Sequence, residues 1–206
     1  MKRNRSIGFF DTQFQKQVAG RDFALNPFEL ATRDFVRGRT LDLGCGLGNL
    51  SIEAARRGAS VVAVDASPAA IERIREIAAQ ERLKIEPVLA DLETYPIKGE
   101  FDTVIAIGIV MFFRREKALA LLEEIKRSVA PGGRAIVNVL TEGTTYMGMF
   151  EPGNYTLFAR DELRERFEGW EILFSRHDSF GAPENTTKEF STLVAQKPLL
   201  DSRLAE

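Results

Sequence analysis

One cysteine and one histidine are all that the 206 residues offer of those two types, and this scarcity removes two classes of chemistry at once. Cys45 alone closes no intramolecular disulfide. Cys45 and His177 together fall short of the ligands a Cys/His zinc site needs, so no metal is expected. Long apolar runs are missing as well. The longest, residues 103–113, is too short to span a bilayer and reads as a buried strand with its following loop. The start Met1-Lys2-Arg3-Asn4-Arg5 is basic, but Asp11 and Gln13 interrupt any signal-peptide core. The expected location is therefore the cytoplasm, with no membrane partner. Nor is there an excess of charge: 28 basic residues face 30 acidic ones, for a formal net charge of −2. Without a basic field there is no phosphate footprint, so no nucleic-acid partner is expected and a small-molecule substrate fits better. None of these features reads out an oligomeric state.

What is present points to one domain. The composition, 44% hydrophobic and 28% charged, is ordinary for a soluble globular chain. No repeat, low-complexity stretch or linker divides residues 1–206. Residues 1–26, rich in Phe and polar side chains, read as an irregular N-terminal arm. Asn26-Pro27 then supplies an N-cap with Pro at the first helical position, opening a helix to about Val36 that Gly38 stops. From there strands and helices alternate. Strands are expected at 40–43, 60–64, 84–90, 101–107 and 134–140. Helices are expected at 48–57, after Ser67-Pro68 with Ile71, Ile74 and Ile77 on one side, and at 115–129. The near-continuous β-branched run at 60–64 marks a strand buried on both faces. After a short helix at 161–167, residues 170–176 and 190–196 read as two strands with no helix between them, which pair antiparallel. The fold class is α/β: a doubly wound, mostly parallel seven-stranded sheet with a C-terminal antiparallel strand pair, Rossmann-like.

The chemistry lies at the strand ends. Leu41-Asp42-Leu43-Gly44-Cys45-Gly46-Leu47-Gly48 occupies a strand-to-helix turn, where glycines permit positive φ and let a ligand approach the backbone. The spacing is G-x-G-x-G rather than the G-x-G-x-x-G of dinucleotide binders. Asp42 at the strand end would repel a pyrophosphate but attract an ammonium group. Asp65 and Ala66 follow the second strand, where an acidic residue reaches ribose hydroxyls. Asp91 and Leu92 follow the third, where a carboxylate accepts from an adenine amino group while the leucine packs on the ring. Each of these carboxylates alone reads equally as a loop or cap residue, but all of them fall in order on the edge where doubly wound sheets bind ligands.

Residues 41–51, 61–66, 88–92, 101–113 and 130–139 resemble the successive motifs of class I S-adenosylmethionine-dependent methyltransferases. Within that superfamily the chain is most similar to the TehB-type tellurite-resistance methyltransferase family. Val110-Met111-Phe112, Asp161-Glu162-Leu163-Arg164 with Phe167-Glu168-Gly169-Trp170-Glu171, and the ending Phe190-Ser191-Thr192-Leu193-Val194-Ala195 carry that likeness. The resemblance implies a single methyltransferase domain over 1–206, S-adenosylmethionine as cofactor and a small-molecule methyl acceptor. It implies a cofactor site of Asp42, Gly44, Cys45, Gly46, Gly48, Asp65, Ala66, Asp91, Leu92 and Ile107, with the arm 1–26 folded over it. It also implies an active-site role for His177, the alternative being a solvent-facing loop histidine. Where the family follows that histidine with arginine, this chain has Asp178, and a further basic position is Asn185, which puts an oxyanion acceptor in doubt. Arg160 and Arg176 are the cations available to compensate.

Met111, Phe112, Tyr146, Met147, Met149, Phe150, Tyr155 and Phe158 form either an apolar lid around the acceptor or ordinary packing. Aromatic faces there suit a sulfonium. Residues 141–156 are long for a connection and read as a substrate-covering loop. Three readings remain at this level. The first is a methyltransferase of tellurite, selenite, a thiol or another small metabolite. The others are a non-catalytic S-adenosylmethionine-binding module and an NAD-dependent oxidoreductase, the last disfavoured by the glycine spacing and Asp42.

Overall fold

Strands covered on both faces need apolar residues at nearly every position, and the centre of the sheet meets that demand. The computed structural model describes residues 5–21 and 23–199; residues 1–4 of the basic start lie outside them. Seven strands run in the order β3-β2-β1-β4-β5-β7-β6. They are β1 (Arg39–Leu43), β2 (Ser60–Asp65), β3 (Ile85–Leu89), β4 (Phe101–Ile107), β5 (Val129–Leu140), β6 (Glu171–Ala182) and β7 (Thr186–Gln196). The first five pair in parallel, while β7 pairs antiparallel with both β5 and β6. The chain order reverses between β1 and β4, and at such a switch point the carboxyl ends of the strands part to leave a crevice.

Helices cover both faces. Ahead of β1 lie α1 (Arg5–Gly20) and α2 (Pro27–Thr32), followed by α3 (Asn49–Arg56), α4 (Pro68–Glu81), α5 (Arg115–Ser128) and α6 (Glu162–Arg166). The Asn26 carboxamide caps α2 in a reciprocal box with Glu29, and the Ser67 hydroxyl caps α4. Leu121, Leu122 and Ile125 of α5 pack with Leu43, Val104 and Phe158 on one face. On the other face Ala54, Ile71 and Ile74 surround Val61 and Ala63.

Three expectations change. The arm is not irregular: residues 5–20 are helix α1, because Ile7, Phe10 and Phe14 recur at helical spacing and share one face toward the crevice. The C-terminal pair is a long hairpin, 171–182 and 186–196, so His177 and Asp178 lie within a strand rather than after one. Asn185 is set by the turn joining them: Glu184 and Asn185 both have positive φ (60° and 55°), the conformation a two-residue hairpin turn requires. The strand expected at 134–140 starts earlier, at Val129 opposite Phe101, and shifts register before Thr103 meets Arg134.

Gly48 is a matter of packing. Its φ is +71°, and a Cβ there would lie 2.5 Å from Cγ1 of Ile74 on α4. Gly48→Ala is expected to cost about 1–3 kcal/mol through backbone strain and that overlap. Urea unfolding checks this, and an unchanged midpoint would show that α3 and α4 separate freely.

Candidate functional site

Past the last β1–β2 pair, Leu43 with Val64, the chain has spent its ladder and must place its next N–H groups elsewhere. Gly44 and Cys45 both donate to the Val64 carbonyl, at 2.8 and 3.1 Å. Gly46 N–H donates to Asp65 Oδ2 at 2.9 Å, and Asp65 Oδ1 receives Ser67 N–H at 2.8 Å. The turn thus hangs on one carbonyl and one carboxylate. A side chain at Gly44 would overlap Ile109, 2.7 Å from the added Cβ, and one at Gly46 would meet Phe14 at 3.1 Å. Glycine is required here by close approach and by φ of +68° and +52°.

Over this turn lies a cavity of about 870 Å³, within the range that holds organic ligands. Asp42, Gly44, Cys45, Gly46, Asp65, Ala66, Asp91, Leu92 and Ile107 line it, as do Met111 and Phe112. The sequence-based expectations therefore converge on one wall, with exceptions. Gly48 packs against Ile74 instead. Tyr146 stands behind Lys188 rather than on the wall, and Arg160 is exposed ahead of α6. His177 sits on the edge strand β6, its Nε2 3.4 Å from Asp161 Oδ1, and is not among the lining residues. Arg176 is taken up by Asp178 at 2.8 Å. Of the aromatic lid candidates, Phe158 is core, while the Phe112 and Phe150 rings pack tilted at 43° with centroids 5.0 Å apart.

Phe10 and Phe14 of the arm, on α1, reach in from above. Sequence reasoning missed a second set: Asn26, Phe28 and Glu29 at the start of α2, and Asn138, Lys188 and Phe190 on β5 and β7. The Asn26-x-x-Glu29 spacing was a visible signal, but for a cap rather than a wall. From residues 141–156, Met149, Glu151 and Asn154 contribute lining.

The wall over β1 and β2 is acidic and largely buried. Burial pushes the Asp42 carboxyl up to about 7, against a 2.7 Å hydrogen bond from Ser51 Oγ, with Glu29 and Asp65 adding repulsion. Burial likewise raises Glu29, opposed by the Asn26 N–H, and Asp65, opposed by the Ser67 and Gly46 N–H groups. The Cys45 thiol is pushed well up by burial and by these carboxylates, which makes it a poor nucleophile. Crowded carboxylates of this kind are relieved by a cation.

Residues 40–133 match the family described as a methyltransferase domain. The chain is 27% identical over 166 residues to a probable S-adenosyl-L-methionine-dependent methyltransferase TehB of Haemophilus influenzae, covering 77% of this chain and 57% of that one. It is 29% identical over 168 residues to hemagglutinin 1 of Eikenella corrodens, covering 78% and 55%. The chain thus spans a little over half the length of these curated relatives. The crystal structure of TehB from Haemophilus influenzae superposes with a TM-score of 0.73 at 22% identity, over 84% of this chain and 63% of that one. The architecture is that of the class I methyltransferases. Among the described residues no helix is long and apolar enough to cross a membrane.

Asp42 carries a pH signature. Folded, its carboxyl holds its proton to about pH 7; unfolded, it loses it near an ordinary value of about 3.9. Its contribution to stability is therefore complete at the acid end and lost as pH rises toward 7. Asp42→Asn, which does not titrate, should gain on the wild type in urea midpoint between pH 4 and 7. A constant difference across that window would remove the buried charge from the account.

Proposed function

We propose that this class I S-adenosylmethionine-dependent methyltransferase of the TehB type methylates a small-molecule acceptor, with cofactor over β1–β3 and acceptor over β4, β5 and β7. The observation that carries the reading is the row of carboxylates, Asp42, Asp65 and Asp91, set at successive strand ends beside a turn whose glycines leave no room for side chains.

The donor set suits the cofactor. An ammonium at the aminoacyl end would relieve Asp42, whose charge burial disfavours. Asp65 spends two lone pairs on Gly46 and Ser67, leaving capacity for ribose hydroxyls. Asp91, its Oδ1 already accepting from Glu93 N–H, stands beside buried Leu92 for an adenine amino group and ring. The orphaned Oδ1 of Asn49, on the same wall, is a further buried acceptor. When bound, S-adenosylmethionine supplies a methyl group on a sulfonium that leaves as a neutral thioether. The protein's task is to hold the acceptor in line, about 3–3.5 Å from the methyl carbon, with water excluded by Met111, Phe112 and Met149. A general base is needed only if the acceptor carries a proton at working pH.

The resemblance makes tellurite and selenite the first acceptors to screen. Against them stand Asp178, which neutralises Arg176, and the placement of His177 and Arg160 off the cavity wall. These features favour a thiol or another small metabolite as acceptor.

Calorimetric titration tests the cofactor assignment. S-adenosylhomocysteine should bind saturably and NAD should not, and Asp65→Ala should weaken S-adenosylhomocysteine at least tenfold, about 1.4 kcal/mol. NAD binding alone would return the chain to the oxidoreductases. Unchanged affinity in Asp65→Ala would take Asp65 out of the ribose site. Binding without turnover on any acceptor would favour a sensing module.

A further inference from the structure

The acceptor half of the cavity holds a charge to which methyl transfer itself assigns no role. Phe190 on β7 pairs with Leu140 at the end of β5, so Lys188, two residues earlier on the same face, stands past the end of β5 while still paired with Phe180 of β6. Its ammonium lies 4.7 Å from the centroid of the Tyr146 ring. Tyr146 is fixed there by its own N–H, which donates to the Thr187 carbonyl at 3.1 Å. Among the described residues no carboxylate lies within ion-pair distance of Lys188. Its surroundings on the wall are apolar: Leu140, Met149, and the Phe28 and Phe190 rings, whose centroids are 4.5 Å apart.

A half-buried cation without a counter-ion is costly, and burial pushes the Lys188 ammonium below its usual range. The face of Tyr146 offsets only part of that cost. The acidic groups Asp42, Asp65 and Asp91 stand at the ends of β1, β2 and β3, at the other side of the sheet order, where they leave Lys188 unpaired. An anion arriving with the acceptor supplies the missing partner.

The wall also says which kind of anion. An inorganic oxyanion spreads its charge over several oxygens and needs several donors. Here Lys188 is the one half-buried ammonium: Arg176 is bound to Asp178, and Arg114, the other cation lining the cavity, is exposed. A buried polar atom on β5 is itself an acceptor. Asn138 is fully buried, its Nδ2 donates to Thr192 Oγ1 at 2.9 Å, and its Oδ1 has no partner. That oxygen repels an anion and turns the charged end of the acceptor toward Lys188.

We propose that the methyl acceptor is an organic monoanion, a carboxylate on an apolar body, with the carboxylate on Lys188 and the body against Phe28 and Phe190. The proposal rests on the methyltransferase reading above, since it assigns the half of the cavity that the cofactor leaves.

The test uses the full chain saturated with S-adenosylhomocysteine and titrated calorimetrically with benzoate, its neutral counterpart benzamide, and selenite. Benzoate should bind at least tenfold tighter than benzamide. Lys188→Met should abolish that preference and Lys188→Arg should keep most of it, with S-adenosylhomocysteine binding reporting that each variant is folded. Benzoate binding no tighter than benzamide in the wild type, or equally well in wild type and Lys188→Met, overturns the proposal. So does selenite binding that depends on Lys188 while benzoate stays silent. Failure of S-adenosylhomocysteine to bind the wild type would instead defeat the methyltransferase reading, before any acceptor is added.

Discussion

The carboxylate of Asp65 holds the glycine turn, and the rest of the site takes its position from that one group. Strands β1 and β2 stop pairing at Leu43 and Val64, and beyond that point the chain has to bend sharply into α3. It does so because Val64 and Asp65 together receive the N–H groups of Gly44, Cys45 and Gly46. With the backbone pinned, neighbouring side chains close on it. Ile109, Phe14 and Ile74 each occupy space where a Cβ would otherwise stand. Sequence, turn and packing are one constraint here: the glycines are glycines because three other elements lean on them.

That constraint has an electrostatic cost. Glu29 and Asp65 both disfavour the charge on Asp42, and burial is the largest cause of the upward shift in each of the three. A fold optimised for stability alone would not place three carboxylates around a dry turn, and such perturbed groups cluster where ligands bind. At the far side of the same cavity Lys188 is desolvated with the opposite sign. The strand order sorts the two, with β1–β3 carrying the acids and β7 the base. The two sides of the cavity are thus distinguished by charge before any ligand makes a specific contact.

Much of this was legible in the sequence. The buried strands announced themselves by apolar runs, the turn by its glycine spacing, and the acidic wall of the cavity by aspartates at successive strand ends. What escaped did so for physical reasons. Helix α1 buries Ser6 and Asp11 fully, while its apolar Ile7, Phe10 and Phe14 are only half buried over a cavity, so its pattern is too polar to read as a packed helix. The length of the β6–β7 hairpin was hidden because residues 175–179, Ser-Arg-His-Asp-Ser, alternate on an edge strand that needs no core face. Lys188 was missed with it: extended back from Phe190, a period of two places Lys188, Phe190, Thr192 and Val194 on one face. Gly48 failed in the opposite direction, being read as a ligand contact when its constraint is Ile74.

The cover over the cavity joins its two halves. At one end α1 is tied to the loop after β2 by Ser67 Oγ donating to Asp11 at 2.5 Å. At the other it is tied to the loop after β5, with Arg5 N–H donating to Glu151 at 2.8 Å and Glu151 N–H reaching Ser6 Oγ at 3.1 Å. Between these ties Phe10 stacks edgewise on Phe112, which packs on Phe150. Each hydrogen bond is worth only about 0.5–1.5 kcal/mol net, so the cover is held closed but not locked. Because one helix is fastened to both loops, loosening it at Asp11 also loosens its hold on the loop carrying Tyr146 and Met149. A shared element of this kind couples the two sides of the cavity energetically, and it follows from where sixteen residues read as an irregular arm are fastened.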